Sequence, residues 1–465
     1  MAIPTERHRL TYSELESALH EGHTYHPCFK ARTGFTIDDH KRYGPEAAAR
    51  FGLVWLAVNR SVVQFHGPAD VMMTEGLITA ASQQALLRSF DIVGLSPAEF
   101  AVIPLHPWQH KHLEKSLTSL VSHNLVKVLP ARSDDYCAGM SLRTLSNKKD
   151  ATLPDIKLPL SVINTSSKRT ICPHSIAAAP AISAWLSEII RTDKFLQACN
   201  LQIQQEFAGI TLCEDALAAN GIAPEILTQI NCLFRDRQAL QPEHSQVVQC
   251  AALGLTEKTG TPFIHEWVSR YGCRQWVSQL TKRVVIPIWH LLVHHGVALE
   301  THGQNLALIH EDGWPTGCVL KDFHESMEFV EDFVKCRDNI PDFSALSAVF
   351  SDAPAGQYYR MAHTDELLEL FTDTVLVYQL SDISHLLSMH YQFSERDFWQ
   401  TVCQQFARYH STGITHHSRI TRLNLLRPEL KAESLLTRKL TAAGEDACHH
   451  FISNPLYQAH LTGSE

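Results

Sequence analysis

Two short apolar runs that flank a turn-forming sequence constrain the fold of this chain more than any other feature. The first run extends from Asn305 to Ile309, the second from Cys318 to Leu320, and EDGWPTG separates them. Asp, Gly and Pro are residues that turns favour. The segment is therefore predicted to form an antiparallel β-hairpin that turns at Gly313.

Polar side chains cluster at the predicted open end of this hairpin. Glu300, His302, Gln304 and Asn305 precede the first strand, and Asp322 ends the second. Mg²⁺ prefers carboxylate and amide oxygens and usually keeps phosphate oxygens among its ligands. Glu300, Asn305 and Asp322 are therefore predicted to bind magnesium nucleotide. The competing interpretation gives Asn305 a capping or turn role and places Asp322 on the surface.

A second hairpin is predicted upstream, from two β-like runs separated by a polar loop. The runs are SLRTL, from Ser141 to Leu145, and IKLPLSVI, from Ile156 to Ile163. A turn centred near Asp150 places Arg143 opposite Lys157, to within about one residue of register. Like charges that face each other destabilise a sheet, whereas a bound polyanion reverses that effect.

The surface of this second hairpin is a candidate cradle for a triphosphate or a polycarboxylate. Alternation along each strand places its polar groups on one face. The residues predicted to share that face are Ser141, Arg143, Lys157, Ser161 and, after a tight turn at Thr165, Arg169. Arginine offers a fork of donors to phosphate or carboxylate, and lysine adds a point charge. The competing interpretation is a solvated sheet face, because charged strand faces are common.

A third polar segment lies near the N-terminus. GHTYHPCFKARTGF, from Gly22 to Phe35, contains His23, His26, Lys30 and Arg32. These side chains could bind a carboxylate substrate, and a polar loop without a ligand is the alternative. The sequence contains neither a G-x-x-x-x-G-K-[ST] loop nor a G-x-G-x-x-G sequence. Side chains, rather than a glycine-rich loop, are therefore expected to hold phosphates.

Length and composition limit the class of protein. A chain of 465 residues suggests two or three domains, and Ala219 to Ser245, which contains Gly and Pro, is a candidate junction. The net charge of −9 argues against a general nucleic-acid binder. His290 and His294 have a spacing that can bind zinc on a helix. Because no nearby carboxylate or cysteine completes that set, core or surface histidines are the favoured interpretation.

Hydrophobic periodicity predicts an α+β fold. Short β-like runs dominate from Ala101 to Ile171, whereas longer helical patterns follow Pro180. The longest apolar stretch, Val284 to Leu299, is shorter than a membrane span and is predicted to be a buried helix. Pro287 should kink or split that helix. The C-terminal third, from about Asp342 onward, is mostly helical in pattern.

In this order, the polar segments resemble the NRPS-independent siderophore synthetases, the IucA/IucC-like family of aerobactin biosynthesis. GHTYHPCFKARTGF is similar to the family's GHPxHPxxKxRxGF signature, and ETHGQN is similar to its E-x-H-x-Q-N motif. The other matching segments are IPLHPWQ (Ile103–Gln109), SLRTL with Lys157 and Arg169, CLFRDR (Cys232–Arg237) and KDF (Lys321–Phe323). The combination is far more specific than any one motif.

The resemblance implies an α+β fold shaped like a cupped hand. It divides the chain into a reduced thumb at residues 1–21, β-rich fingers at 22–225 and a helix-rich palm at 226–465 that carries the hairpin at 304–323. ATP and Mg²⁺ would be required, and the substrates would be a small carboxylic acid and an amine, hydroxylamine or alcohol. We also expect a cytoplasmic homodimer without nucleic-acid or membrane partners.

The resemblance further implies roles for individual residues. The nucleotide-binding set would be Ser141, Arg143, Thr144, Lys157, Arg169, His302, Gln304 and Asn305. The catalytic members of that set would be Arg143, Lys157, Arg169 and His302. The acid-binding set would be His23, His26, Lys30, Thr165 and Arg169, and the metal ligands would be Glu300 and Asp322. Two positions depart from the family pattern, since Thr24 replaces a proline and Lys321 replaces an arginine.

The implied reaction has two steps. A substrate carboxylate attacks the α-phosphorus of ATP to give an acyl-adenylate and pyrophosphate, and a nucleophile then displaces AMP. Two other interpretations remain open. The segment THGQNLALIHEDGWPTGCVLKDF, from Thr301 to Phe323, also resembles the small-molecule kinase pattern, although no Asp lies between His302 and Asn305 to accept a hydroxyl proton. A non-catalytic homologue that binds citrate or nucleotide is the third interpretation.

Overall fold

The computed structural model describes residues 6–21, 30–67, 75–164, 167–440 and 448–462. Helices and mostly antiparallel strands are interspersed along these residues, which confirms the α+β class predicted from the sequence. The cupped-hand shape and the division into thumb, fingers and palm stay predictions. Among the described helices, none combines the length and the apolar character that crossing a bilayer requires.

The regular elements are numbered here in chain order. The strands β1 to β21 are Arg32–Thr33, Phe51–Gly52, Val54–Asn59, Val63–His66, Phe100–Leu105, Val126–Leu129, Asp135–Ala138, Thr144–Asn147, Asp155–Lys157, Ile163–Asn164, Ser167–Lys168, Leu201–Ile203, Glu206–Leu212, Cys232–Arg235, Gln246–Gln249, Val297–Leu299, Leu306–Glu311, Trp314–Leu320, Met327–Phe329, Glu429–Glu433 and His449–Ser453. The helices α1 to α18 are Tyr12–Ala18, Ile37–Tyr43, Ala80–Val93, Pro107–His112, Glu114–Ser122, Pro173–Thr192, Lys194–Ala198, Glu214–Ala219, His265–Tyr271, Cys273–Leu280, Ile286–His290, Phe343–Leu346, Thr364–Phe371, Ser381–Tyr391, Glu395–Ser411, His417–Leu423, Leu435–Leu440 and Pro455–Thr462.

The largest sheet has seven strands in the order β2-β7-β8-β9-β14-β13-β4, and every neighbouring pair is antiparallel. Its apolar side chains pack against those of the three-stranded sheet β5-β3-β6 and form one core with them. Trp55, Tyr136 and Phe234 are buried in this core. Strand β14 lies inside the seven-stranded sheet. The sheet therefore extends past the predicted boundary at residue 225 and into the candidate junction.

A second core joins a four-stranded sheet to the C-terminal helices. The strand order is β12-β18-β17-β15, with β12 parallel to β18 and the other pairs antiparallel. Trp276, Trp289, Phe398 and Phe406 are buried among the helices of this core. Helix α6 packs into the same core and also contacts β13 of the seven-stranded sheet, so it connects the two layers.

The predicted hairpin at residues 305–322 is confirmed. Strands β17 and β18 are antiparallel, and the chain turns at Asp312 and Gly313, which both have positive φ values of 48° and 85°. A Cβ atom on Gly313 would lie 2.0 Å from Cδ1 of Trp267, so both the backbone and the packing require glycine there. Lys321 N–H donates to the Asn305 carbonyl over 2.9 Å and closes the open end.

The hairpin between SLRTL and IKLPLSVI is also present, with two corrections. Strands β8 and β9 pair so that Thr144, rather than Arg143, lies opposite Lys157, and Arg143 stands in the bend that precedes β8. IKLPLSVI is not one strand, because β9 ends at Lys157 and the next strand, β10, begins at Ile163 in a different sheet, β1-β10-β11. Pro159 has no N–H for a ladder, which accounts for the break.

The predicted apolar helix is divided as the proline suggested. Helix α10 continues into a π-helical segment, Thr281–Val285, then α11, and then a second π-helical segment, Leu291–His295. Gly296, with φ of 82°, ends it. The C-terminal third is mostly helical as predicted, but it also contains the β20–β21 hairpin, which the sequence patterns did not indicate.

Candidate active site

A cavity of about 300 Å³, called here the polar pocket, lies where the two hairpins meet the C-terminal helices. Its charged and polar lining includes Ser141, Arg143, Lys157, Arg169, Glu300, His302, Gln304, Asn305, Asp322, Glu325, Asp373 and Glu433. Seven of the eight predicted nucleotide-binding residues and both predicted metal ligands are in this set. Residues that are far apart in the sequence are therefore brought to one cavity.

One wall of the polar pocket carries three cationic side chains. Arg143 is buried, and its Nη1 donates to the Thr170 carbonyl over 2.9 Å. Strands β10 and β11 pair antiparallel, which returns the chain so that Arg169 reaches this wall as predicted. Burial, together with the charge of Arg143, lowers the pKa of Arg169 to about 10. Arg143 and Arg169 are therefore close enough for their charges to repel, in addition to the effect of burial.

Carboxylates line the same pocket close to these cations, with Asp322 2.8 Å from Nζ of Lys157 and Glu325 3.9 Å from Nη2 of Arg143. This group of carboxylates is called here the acidic wall. Glu300, Asp322 and Glu325 all line the polar pocket. Desolvation in the pocket wall, together with the charges of Asp322 and Glu325, raises the pKa of Glu300 to about 7. Like charges held close together raise a carboxyl pKa in this way.

Asp322 is the centre of the charge network between the two walls. Its backbone is in the left-handed region, with φ of 67°. Its carboxylate lies 2.8 Å from Nζ of Lys157, 2.7 Å from Nη2 of Arg235 and 3.2 Å from Nδ1 of His324. Burial opposes ionisation, but Arg235 and Lys157 hold the pKa of Asp322 well below its usual range. Burial, with the charges of Arg235 and Arg143, lowers the pKa of Lys157 to about 8.

A fully buried layer supports this network. Glu206 accepts from Nε and Nη2 of Arg235 over 3.0 and 2.7 Å, and it lies 2.9 Å from Nδ1 of His324. Its second oxygen accepts from the backbone N–H groups of Phe323 and His324. His324 and Arg235 hold the pKa of Glu206 below its usual range although the group is buried. Glu206 therefore fixes both Arg235 and the turn that carries Asp322.

Sequence reasoning assigned no role to Glu206, Arg235, His324 or Glu325. Two signals were available for them. Glu206 is a charged residue at the head of the otherwise apolar strand β13, and a buried acid requires a partner. His324 and Glu325 come two and three residues after Asp322 in the sequence. Arg235 lies in CLFRDR, which was matched only as a family segment.

The donor set of the acidic wall fits a magnesium ion. Three carboxylates line one cavity, and burial together with the charges of Asp322 and Glu325 raises the pKa of Glu300, which a divalent cation beside it would lower. Asn305 donates Nδ2–H to the Glu300 carbonyl over 3.1 Å, which brings its amide oxygen to the same end of the hairpin. Asp322 also contacts Lys157 and Arg235, so its charge is shared between these cations and any metal.

The E-x-H-x-Q-N segment forms a tight turn at this end of the hairpin. Nδ1 of His302 accepts from the Gln304 N–H over 3.1 Å, and the His302 carbonyl accepts from the Asn305 N–H over 2.9 Å. Burial lowers the pKa of His302 to about 4, which keeps the imidazole neutral near pH 7. Its Nε2 lies 3.6 Å from the Glu300 carboxylate.

Ser141 and Thr144 are held together behind the cationic wall. Ser141 Oγ donates to Thr144 Oγ1 over 2.9 Å, and Thr144 Oγ1 also accepts from Arg235 over 3.2 Å. Thr144 lines a small adjoining cavity instead of the polar pocket. Lys321 lines the same small cavity and contacts Tyr12 and Glu16 of helix α1. Its charge therefore pairs with the N-terminal helix.

The predicted acid-binding segment is described only in part. His23, His26 and Thr165 lie outside the described residues. Lys30 is exposed just before β1, and it is not among the residues that line the polar pocket. Arg32 forms a two-bonded ion pair with Glu46, at 2.8 Å for each bond.

The IPLHPWQ segment braces the sheet that carries the cationic wall. Gln109, in helix α4, is fully buried and exchanges two hydrogen bonds with Ser161, of 2.8 and 3.0 Å. Ser161 also donates to Gln229 over 2.9 Å. The expectation that Ser161 faces the phosphate cradle is therefore wrong, because its polar atoms are used in this brace.

Two family models match the chain. Residues 11–254 match the model described as the IucA / IucC family, and residues 274–447 match the model described as ferric iron reductase FhuF-like transporter. The first match covers more than half of the chain and includes the cationic wall. The second covers the hairpin at residues 306–320 and most of the C-terminal helices.

Individual proteins are similar over nearly the whole chain. A Bacillus anthracis protein named citryl-spermidine/3,4-dihydroxybenzoyl-citryl-spermidine:spermidine ligase is 31% identical over 455 residues, which cover 97% of this chain and 73% of that protein. The aerobactin synthase of Escherichia coli is 29% identical, over 93% of this chain and 74% of its own. The crystal structure of the petrobactin biosynthesis protein AsbB from Bacillus anthracis str. Sterne is 30% identical, with a TM-score of 0.91, over 98% of this chain and 76% of that one.

The fold therefore has a counterpart in a petrobactin biosynthesis protein, and the sequence has counterparts among siderophore synthetases. The chain belongs to the IucA/IucC family of siderophore synthetases, which confirms the family predicted from its motifs. The relatives above are named as a ligase and a synthase, so the chain is an enzyme of that family.

Proposed function

We propose that this chain uses ATP and Mg²⁺ to adenylate citrate or a citrate-like acid and then joins the acid to an amine, hydroxylamine or alcohol. The observation that carries the proposal is the polar pocket, in which Arg143, Lys157 and Arg169 face Glu300, Asp322 and Glu325. A cavity with one cationic and one acidic wall suits a polyphosphate and its metal ion. Two named relatives, a citryl-spermidine:spermidine ligase and an aerobactin synthase, support citrate as the acid and an amine as its partner.

The cationic wall would hold the phosphates of ATP. Arg143 is buried and donates to one carbonyl, and the carboxylate that pairs with it, Glu325, lies 3.9 Å away. The crowding that lowers the pKa of Arg169 disappears when an anion binds. Arginine and lysine donors that are already in place stabilise charge on a phosphate at little cost in reorganisation.

The acidic wall would hold the metal ion. Glu300 and Asp322, with the amide oxygen of Asn305, are the ligands that we propose. Bound magnesium would neutralise charge on the triphosphate and orient it. Glu300 must be ionised to bind a metal, so its pKa of about 7 ties metal affinity to pH.

The first step would form the acyl-adenylate. A carboxylate oxygen of the acid attacks the α-phosphorus, and the bond from that phosphorus to the bridging oxygen breaks to release pyrophosphate. Arg169 lies in the same wall as Arg143, and we propose that it contacts both the acid and the α-phosphate. Buried cations can hold the acid carboxylate and the α-phosphate next to each other, because water does not compete for their charges there.

The second step would form the amide or ester. The nucleophile attacks the acyl carbon, and AMP leaves with the bonding electrons of the broken C–O bond. Asp373 and Glu433 line the pocket beside the acidic wall, and the carboxylate of Glu433 favours an amine substrate. His302 is neutral near pH 7, so it can contact the nucleotide or the nucleophile without adding repulsion. A homodimer and a cytoplasmic location remain predictions.

The proposal can be tested with a matrix of substrates. Purified protein is incubated with ATP, Mg²⁺, one of a set of carboxylic acids and one of a set of polyamines, hydroxylamines or alcohols. Products are identified by mass. Formation of an ATP-dependent conjugate of citrate or a citryl derivative supports the proposal. Absence of any conjugate, in the presence of nucleotide binding, would favour the non-catalytic homologue.

The Lys149→Gln variant is a matched control for the site variants. Lys149 is exposed and lies beyond β8, on the loop to β9. Loss of product in Arg143→Gln but not in Lys149→Gln assigns the effect to the polar pocket. Equal activity in all three proteins would show that the chemistry takes place elsewhere.

A further inference from the structure

Three histidines converge at the end of the helix that begins with α11. His290 is the last residue of α11, and His294 and His295 belong to the π-helical segment Leu291–His295. In a regular α-helix His294 would share a face with His290 and His295 would turn away. The π turn, closed by a bond from the Gly296 N–H to the Leu291 carbonyl, brings all three rings together, with centroids 4.5 to 5.4 Å apart.

A carboxylate from a different part of the chain completes the group. Asp193 precedes α7, and one of its oxygens caps that helix by accepting from the N–H groups of Phe195 and Leu196 over 2.8 and 2.9 Å. Its other oxygen lies 3.1 Å from Nε2 of His290 and 2.9 Å from Nε2 of His295. The cap fixes the direction of the carboxylate, so the second oxygen is held between the imidazoles.

The imidazoles are oriented from behind by hydroxyl groups. Nδ1 of His290 lies 2.6 Å from the Tyr409 hydroxyl, and that hydroxyl lies 2.7 Å from Oγ1 of Thr415. The same Oγ1 lies 3.1 Å from Nδ1 of His294. Metal-binding histidines have such partners on their second nitrogen, because the partner fixes both the tautomer and the ring orientation.

The dimensions of the group suit a small divalent ion. One ligand atom from each of Asp193, His290, His294 and His295 can be chosen so that all four lie within 4.8 Å of one another. Tetrahedral zinc has bonds of about 2.0 Å, which separates its ligand atoms by about 3.3 Å. On metal binding, the distances of 3.1 and 2.9 Å from Asp193 to His290 and His295 would have to lengthen slightly. The distances between the other ligand atoms would have to shorten.

We propose that Asp193, His290, His294 and His295 form a structural site for a zinc-type divalent transition-metal ion. Four protein ligands close a tetrahedral site and leave no position for a substrate. The described residues that line the polar pocket include none of the four. The ion would join α7, α11 and, through Tyr409, α15, so it would stabilise the helical core rather than take part in ligation.

The site corrects the expectation drawn from the sequence. The spacing of His290 and His294 suggested zinc, but no acid or cysteine lay near them in the chain. Asp193 is 97 residues from His290, so only the fold brings them together. His295 joins because of the π-helical turn, which a spacing argument for regular helices excludes.

Lys335 provides a second test of the site. Its Nζ contacts Nε2 of His294, and its side chain is exposed and able to rotate away. A positive charge at that position opposes a bound cation. Lys335→Gln should therefore tighten metal binding, whereas His294→Gln should weaken it while leaving both Asp193 contacts and the helix cap in place.

The experiment measures metal binding by the full-length protein. The chain is stripped with a chelator, desalted, and titrated with Zn²⁺ or with Co²⁺, whose visible absorption reports tetrahedral coordination. We expect one equivalent per chain, a melting temperature that rises with zinc concentration, and an affinity at least about tenfold weaker in His294→Gln. The exposed His244→Gln variant is the matched control and should bind like the parent.

Two results would overturn the proposal. One is the absence of stoichiometric binding by the parent protein, which would leave the cluster as a hydrogen-bonded group only. The other is equal binding by the parent and His294→Gln. Asp322→Asn should retain the zinc equivalent, because its side chain lies in the polar pocket. This variant separates the histidine cluster from the proposed magnesium site.

Discussion

Arg235 and Arg143 are both buried beside the polar pocket, but their charges are balanced differently. Arg235 has its Nη2 atom 2.7 Å from both Glu206 and Asp322, and its Nε donates to Glu206 over 3.0 Å. Arg143 donates to the Thr170 carbonyl and lies 3.9 Å from Glu325. Among the described residues, its buried Nε has no hydrogen-bond partner in the protein.

The difference indicates two separate uses of buried arginine. Burial disfavours the charge of Arg235, but Asp322 and Glu206 more than compensate and raise its pKa above the usual value. Arg235 is thus an internal part of the fold. Arg143 is buried with a longer ion pair, at 3.9 Å to Glu325, so an anion bound in the pocket would further compensate the cost of burying its charge. The comparison predicts that one arginine controls stability and the other controls turnover.

The largest expected effect is on the stability of Arg235→Ala. Removing this guanidinium leaves Glu206 and Asp322 buried without their main cation, and breaking a buried pair costs about 3–5 kcal/mol. The free energy of unfolding, from urea denaturation followed by fluorescence, should fall by that amount. A variant as stable as the parent would show that Glu206 and Asp322 do not depend on Arg235.

Arg143→Ala should have the opposite profile. Loss of one preorganised donor to a developing charge lowers kcat by about 10²–10³-fold, whereas stability should change by less than about 1 kcal/mol, as is usual when no close ion pair is lost. Steady-state kinetics and urea denaturation on one preparation check both values. Arg143→Lys should be more active than Arg143→Ala but less active than the parent, because lysine keeps the positive charge but lacks the paired N–H donors of the guanidinium group. Strong unfolding of Arg143→Ala would remove the distinction from Arg235.

Asp322→Asn tests a residue that belongs both to the buried ion-pair network of Arg235 and to the lining of the polar pocket. Asn keeps the shape, but Lys157 and Arg235 lose a counter-ion, and a buried group without its partner costs about 1–3 kcal/mol. The magnesium concentration needed for half-maximal turnover should rise as well, since a hard cation requires the carboxylate. Overlapping magnesium titrations of variant and parent would exclude Asp322 as a metal ligand, whatever happens to stability.

A smaller effect is expected from Asp373, which lines the pocket away from both arginines. Burial, with the charges of Glu369 and Glu433, raises the pKa of Asp373 to about 8. An unfolded aspartate has a pKa of about 4, so this stabilising contribution is complete below pH 4 and is lost as the pH rises towards 8.

Asn mimics the protonated acid, so Asp373→Asn should flatten the decline of the unfolding free energy between about pH 4 and 8. The difference from the parent should exceed about 1 kcal/mol at pH 8, the value of roughly one pKa unit. The exposed Asp338→Asn is the control and should follow the parent curve. If parent and Asp373→Asn have the same pH slope, Asp373 is ionised in the folded protein.

The sequence predicted those parts of the site that depend on local patterns. Turn residues between apolar runs located both hairpins, and the hairpins placed Arg143, Lys157, Asn305 and Asp322. The register shift at Thr144 was not predictable, because a polar loop of this length does not fix the pairing to one residue. Pro159 was visible in the sequence and could have indicated the break in its strand.

Long-range partners were beyond the reach of sequence patterns. Glu206 and Arg235 meet because β13 and β14 are neighbours, and Asp193 meets His290 because α7 packs against α11. Tertiary packing determines such pairs. Because no regular spacing in the sequence relates the two partners, sequence patterns cannot identify them. The resemblance identified the family, whereas only the fold identified residues such as Glu206 that support the polar pocket.

The central claim is that the polar pocket directs attack to the α-phosphorus of ATP. The most direct test is to identify the nucleotide products. Protein is incubated with ATP, Mg²⁺, citrate and a diamine, and in parallel with hydroxylamine as a trap for acyl-adenylates. AMP and ADP are separated by chromatography and pyrophosphate is measured independently. We expect AMP to form only when the acid is present, in an amount equal to the pyrophosphate released. Arg143→Ala should form no AMP. Stoichiometric ADP with a phosphorylated substrate would contradict the central claim.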